Sequence, residues 1–148
     1  MQLNLETDYA IRCLLVLGTD YDPDRYISAA TLSKDVAITP GHVQKILRNL
    51  KAAGFIKRKM GVTGGYALKD SPDSIYILDV IEKMDGTIAI NRCLEPDNYC
   101  NRDAVGNCNM HEFYLYMQET LINFFGRVTL LDIIDRTFKD PAFRRTKK

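Results

Sequence analysis

A chain of 148 residues is long enough for one domain, or for one small domain with an arm, at roughly 100–200 residues per domain. Met1 to Asp8 lack the basic and then apolar pattern of a leader, and no run approaches the ~18 uninterrupted apolar residues of a membrane span, so membrane roles are set aside and the cytoplasm is the expected compartment. The formal net charge of +1 conceals an uneven distribution: from Lys34 to Lys69 eight basic residues face one acid, a balance of +7, whereas 71–137 holds five basic residues against eleven acids, a balance of −6. The first of these stretches suits a polyanion, nucleic acid before others.

Leu3 to Leu17 reads as a first helix, with Leu3, Ala10, Ile11, Leu14, Leu15 and Leu17 on its apolar side and the Asp22-Pro23-Asp24 turn after it. Cys13 falls in this apolar run and reads as a small core residue. Ser28 is an expected N-cap for a second helix, Ala29 to Val36, because its hydroxyl can accept free backbone N–H groups. Thr39 as N-cap and Pro40 at the first helical position announce a third helix. Within it Val43, Ile46, Leu47 and Leu50 recur as a buried stripe and leave His42, Gln44, Lys45, Arg48, Asn49 and Lys51 outside.

Two helices parted by Ala37-Ile38-Thr39 describe a helix-turn-helix. Gln44, Lys45 and Arg48 are then the base-edge candidates, since their side chains suit hydrogen bonding in a major groove, with His42 on the same face. Phe55 to Met60 and Tyr66 to Lys69 read as two short strands joined by a glycine-rich loop, a wing. Lys57, Arg58 and Lys59 put charge along it. Ser28, Thr39, Lys57, Lys59, Thr63, Gly64 and Gly65 are the expected phosphate contacts, which position but do not specify.

Ile75 to Met84 is expected to be mostly helical, closed by Asp85-Gly86 and packed under the wing. Further on, Met110, Phe113, Met117, Leu121, Phe124 and Val128 recur every three or four residues, as on a long amphipathic helix of roughly five turns. Tyr114 and Phe125 lie off that stripe, so the apolar surface is broader than one neighbour needs, and a homodimer contact through Phe113, Met117, Leu121, Phe124 and Val128 is expected. Thr129-Leu130-Leu131-Asp132 resembles a capping pattern that restarts a short helix through Ile134. The basic tail from Phe138 to Lys148 is expected to fray.

Between the two helical stretches stand Cys93, Cys100 and Cys108, with six and seven residues in the gaps, and His111 shortly after. In a reducing compartment such thiols favour metal or redox chemistry over disulfides. Structural zinc usually takes one tight pair with ~2–4 residues between cysteines, which is missing here, while an iron–sulfur cluster accepts looser spacing. No Walker loop, dinucleotide fingerprint or zinc-protease motif is present. With only His42 and His111 as histidines, a catalytic triad is poorly supported and an enzyme is not expected.

The order of these elements resembles the bacterial winged-helix regulators that include IscR, NsrR, RirA and CymR. Asp8-Tyr9-Ala10-Ile11-Arg12 looks like the family's first-helix signature and Ile38 to Leu47 like its recognition helix. Gly61-Val62-Thr63-Gly64-Gly65-Tyr66-Ala67-Leu68 looks like its wing, and the three cysteines stand where cluster-bearing members hold theirs. The resemblance implies a mainly α, winged helix-turn-helix protein with a two-stranded wing and a long C-terminal dimerisation helix. Its expected parts are a DNA-binding domain at 1–86, a cluster loop at 87–109, the dimerisation helix with a short terminal helix at 110–137, and the tail at 138–148.

The resemblance further implies a homodimer on double-stranded DNA at a palindromic operator, and an iron–sulfur cluster, 2Fe-2S or 4Fe-4S, on Cys93, Cys100 and Cys108. The fourth ligand would be His111 or Asp8, with Glu6 a weaker choice. Two departures stand: the cysteine gaps exceed the usual ones by a residue or two, and Met60 replaces an arginine often found before the first wing glycine. A thiol switch or zinc site on the same DNA-binding fold is the first alternative. An iron–sulfur carrier or partner-binding protein without DNA binding is the second.

Overall fold

The computed structural model describes residues 4–139; the first three residues and most of the expected basic tail, from 140 on, lie outside the described residues. Helix α1, Leu5–Gly18, starts where the Asn4 side chain accepts from the Glu6 N–H at 3.2 Å and buries Ala10, Cys13, Leu14 and Leu17. Helix α2, Ala29–Asp35, begins at Ser28, whose Oγ accepts from the Thr31 N–H at 3.1 Å. Helix α3, Pro40–Ala52, buries Val43, Ile46, Leu47 and Leu50, the stripe expected from the sequence, and Gly54 follows it at φ 87°. Thr39 holds the N-cap position without its expected capping bond, because its hydroxyl pairs with His42 Nδ1 at 3.0 Å instead.

Strands β1, Ile56–Lys59, and β2, Gly65–Leu68, form an antiparallel ribbon with Ile56 opposite Leu68 and Lys59 opposite Gly65. Ile27 adds a third, single-residue rung by exchanging backbone hydrogen bonds with Tyr66 at 2.9 and 2.8 Å. Gly65 makes that approach possible, since a Cβ there would lie 2.4 Å from the Ile27 carbonyl oxygen. Gly64 is equally confined, with a Cβ position 2.3 Å from the Lys59 carbonyl oxygen.

Helix α4, Ile77–Asp85, packs chiefly against α1 rather than under the wing as expected. It starts later than the sequence pattern because Ile75 is extended: its carbonyl accepts from the Leu130 N–H at 2.8 Å, and the Ile77 N–H donates to the Val128 carbonyl at 2.9 Å. Helix α5, Asn109–Phe125, runs for 17 residues and contains no buried one. It stops before Val128, which is 3 % exposed in the chain's own core, so the expected dimer residue Val128 is corrected to a core residue. Helix α6, Leu130–Ile134, carries the capping box read from the sequence: Thr129 Oγ1 accepts from the Asp132 N–H and the Asp132 carboxylate accepts from the Thr129 N–H. Leu130 and α6 pack on α1, so chain from both sides of the cysteine loop fills one core.

Candidate nucleic-acid interface and cysteine loop

With Val43, Ile46, Leu47 and Leu50 turned inward, α3 turns His42, Gln44, Lys45 and Arg48 to solvent. The Ser28 end of α2, the start of α3 and the wing border one shallow groove that includes Gln44, Arg58, Lys59 and Gly64. Lys57, Arg58, Lys59 and Thr63 line the ribbon and its loop, Lys57 half-buried and the others exposed. This surface joins the base-edge candidates to the candidate phosphate contacts.

Three contacts on it were not legible in the sequence. Lys45 Nζ is ion-paired with Glu6 of α1, across 39 positions of chain. Tyr26, just before α2, lies beneath the ammonium groups of both Lys57 and Lys59, at 5.8 and 5.4 Å from its ring centre. Arg58 lies over Tyr66 at 5.7 Å. At the tip, where an arginine is often found in similar wings, Met60 is 74 % exposed and Val62 fully so.

The cysteine loop has its own organisation. Cys93 lies in a 3-10 turn, Arg92–Leu94, and Cys108 is the residue that precedes α5; these and Cys100 are half-buried and free. Arg92 clamps the first part of the loop: it pairs with Glu95 at 2.9 Å and with Asp97, and it stacks over Tyr99 at 5.1 Å. Hydrogen bonds from Arg92 pull the Asp97 carboxyl down to about 2. The Cys100 thiol is lowered from its ordinary value by backbone N–H groups, first of Ala104 and then of Arg102. Buried Cys13, in contrast, is pushed up to about 11 by desolvation, as expected of an inert core thiol.

Among the described residues no three of the His, Cys, Asp and Glu side chains come close enough to share a metal ion. Cys93, Cys100 and Cys108 are therefore not gathered, and Asp8 is held by Arg12 at 2.5 Å. The donor chemistry nonetheless fits an iron–sulfur group. Three thiols stand half-exposed in one loop, and the Nδ1 of His111, one turn beyond Cys108, is buried without a hydrogen-bond partner among the described residues. The Ile90 N–H donates to Gln118 Oε1 at 3.1 Å, which fastens the start of the loop to the middle of α5.

A helix-turn-helix with a flanking basic ribbon defines a winged-helix DNA-binding regulator. The chain belongs to the Rrf2 family, described as iron-dependent transcriptional regulators, whose model matches residues 3–136. It is similar to the HTH-type transcriptional regulator NsrR of Bacillus licheniformis, 24% identical over 135 residues, covering 90% of this chain and 92% of that one. In fold it is similar to CymR, the global cysteine regulator of B. subtilis, with a TM-score of 0.77 at 17% identity, covering 92% of this chain and 98% of that one. It is also similar in fold to IscR of T. potens, with a TM-score of 0.72 at 14% identity, covering 100% of this chain and 93% of that one. NsrR is named as a transcriptional regulator, as the family is, and the protein is not an enzyme. No helix among the described residues is long and apolar enough to cross a membrane.

Proposed function

We propose that the chain is a homodimeric regulator that meets a palindromic operator with two recognition helices and two wings. We further propose that its loop thiols, through an iron–sulfur cluster of 2Fe-2S or 4Fe-4S type, sense nitric oxide, iron or redox state. One observation carries the reading. The cysteine loop is hydrogen-bonded to α5, and α5 is the helix with no buried side chain, showing Phe113, Met117 and Phe124 to solvent. A second copy seated on Phe113, Met117, Leu121 and Phe124 would cover that face and bring both loops beside the shared helices.

Cys93, Cys100 and Cys108 would hold the cluster, with His111 or an Asp8 from the second copy as the fourth ligand. When bound, such a group supplies exchangeable, redox-active iron. The residues of the chain supply the rest: ordering of the loop against Gln118 biases the setting of α5, and α5 spaces the two recognition helices. A loop that orders and disorders next to an interface is a known form of two-state switch. Gln44, Lys45 and Arg48 read base edges with His42 on the same face, while Ser28, Thr39 and the wing residues hold the backbone.

Iron and sulfide counts with visible absorption on anaerobically purified protein test the cluster. Their absence, or regulated DNA binding left unchanged by Cys100→Ala, sinks this part and leaves DNA recognition standing. For base reading, Gln44→Ala is expected to cost about 1–3 kcal/mol on a specific operator and little on a scrambled duplex; equal losses on both would remove Gln44 from that role. The lowered Cys100 thiol favours a second reading, a thiol switch on the same fold. Thiol titration and zinc analysis separate it from the first.

A further inference from the structure

Lys57 and Lys59 are two residues apart on β1, so their side chains leave the same face of the ribbon, about 6.6 Å apart along the strand. Both ammonium groups converge on the ring of Tyr26, while Arg58 between them lies over Tyr66. Two tyrosines thus divide three consecutive cations between two faces. Among the described residues no carboxylate pairs with Lys57 or Lys59. Two like charges gathered at one half-buried ring repel each other, which opposes the attraction of each cation for the ring. An anion seated beside both ammonium groups would relieve that repulsion. On a DNA-facing wing the anion available is backbone phosphate.

Tyr26 is itself firmly placed. The next residue, Ile27, exchanges two backbone hydrogen bonds with Tyr66 of β2, and Ser28 caps α2. The backbone that carries the ring is therefore fixed to the wing and to the helix-turn-helix at once. Lysine side chains that are already ordered lose less freedom when they meet a phosphate.

We propose that Tyr26 is a positioning residue of the DNA-binding surface, its ring holding Lys57 and Lys59 as a pair directed at one stretch of phosphate backbone. The assignment deepens the regulator reading and rests on it. Tyr26 then sets how many phosphates the wing neutralises, without reading sequence.

The test is fluorescence anisotropy of the full chain with a labelled duplex of arbitrary sequence, across a range of salt. Wild type, Tyr26→Phe, Tyr26→Leu, the Lys57→Met/Lys59→Met double variant and that double variant with Tyr26→Leu added are compared, with a thermal melt of each. Each phosphate contact contributes a slope of about 0.9 in log affinity against log salt. Tyr26→Phe keeps the ring and is expected to hold the wild-type slope. Tyr26→Leu is expected to bind roughly three- to tenfold more weakly and to lower the slope by about one, with no further loss in the double-lysine background.

A Tyr26→Leu slope equal to wild type overturns the proposal. So does a Tyr26→Phe loss as large as that of Tyr26→Leu, which assigns the effect to the hydroxyl. If Tyr26→Leu melts early, the double-lysine variant decides: a slope lowered by about two supports the pair, and an unchanged slope overturns it. Wild-type protein without salt-sensitive duplex binding is a separate outcome that overturns the regulator reading itself.

Discussion

Leu14, Leu32, Val43, Leu47 and Leu50 of the winged helix are all fully buried, whereas α5 has no buried residue and turns Phe113, Tyr116 and Met110 half or more to solvent. Both regions are rich in apolar side chains and differ in what covers them. The winged helix is closed by its own chain; the arm that carries the cysteines is left to be closed by something else. The recognition surface and the cysteine loop are thereby given different dependencies. The DNA-facing surface rests on a finished core, and the cysteine loop rests on a helix whose apolar side chains are open to solvent.

Leu50→Ala is the strongest test of that contrast. It is expected to cost about 2–5 kcal/mol in chemical denaturation, as for other large-to-small core changes. Phe113→Ala, measured at a concentration where the protein is monomeric, should cost far less; comparable losses would break the contrast. The paired change Phe113→Ala with Met117→Ala should instead appear in sedimentation, weakening self-association by about 2 kcal/mol or some thirtyfold. An unaltered dissociation constant would move the interface away from this face.

A smaller effect is expected within the winged helix, where α1 meets the recognition helix. Glu6→Gln removes the carboxylate that pairs with Lys45, two side chains that are 39 % and 52 % exposed, and should release Lys45 for DNA. Exposed pairs are worth only about 0.2–1 kcal/mol, so duplex affinity should rise no more than about fivefold at low salt and the gain should fade as salt screens it. Weaker binding would show that Glu6 orients Lys45 rather than competing for it. The smallest perturbation is chemical labelling: iodoacetamide should modify Cys100 at pH values below the ordinary thiol value of 9.0, because backbone N–H groups favour its thiolate. Cys13 should resist until the protein is denatured. Mass mapping that found Cys13 labelled in native protein would show that the winged-helix core opens.

What the sequence made legible was mostly local. Ser28, the Thr39-Pro40 pair and the Thr129/Asp132 box announce helix starts because capping is decided within three or four residues. The α3 stripe is legible for a similar reason, since a period of 3.6 needs no knowledge of the partner. Periodicity failed at Val128. The pattern continued through Gly126 and Arg127, but the backbone turned there to pair with Ile75 and Ile77. The same pairing delayed α4 and turned it toward α1. Thr39 was placed correctly and bonded differently, because His42 offered its hydroxyl a nearer partner. Glu6 with Lys45, and Tyr26 with Lys57 and Lys59, carry no local signal at all, since each contact is made only once distant stretches are packed. The cysteine trio was legible as chemistry, and its three members are not brought together within the described residues.

The return of the chain after α5 has a consequence for connectivity. Val128 and Leu130 complete a core begun by α1, and their backbone is laced to Ile75 and Ile77 at 2.8 and 2.9 Å. The winged helix is thus assembled from two pieces of polypeptide, with the cysteine loop as an excursion between them. A protease that nicked the loop between Cys93 and Cys108 is therefore expected to yield two fragments that stay associated and still present the recognition helix. Damage to the cysteine loop would then sever its covalent continuity before it reached the DNA-facing surface.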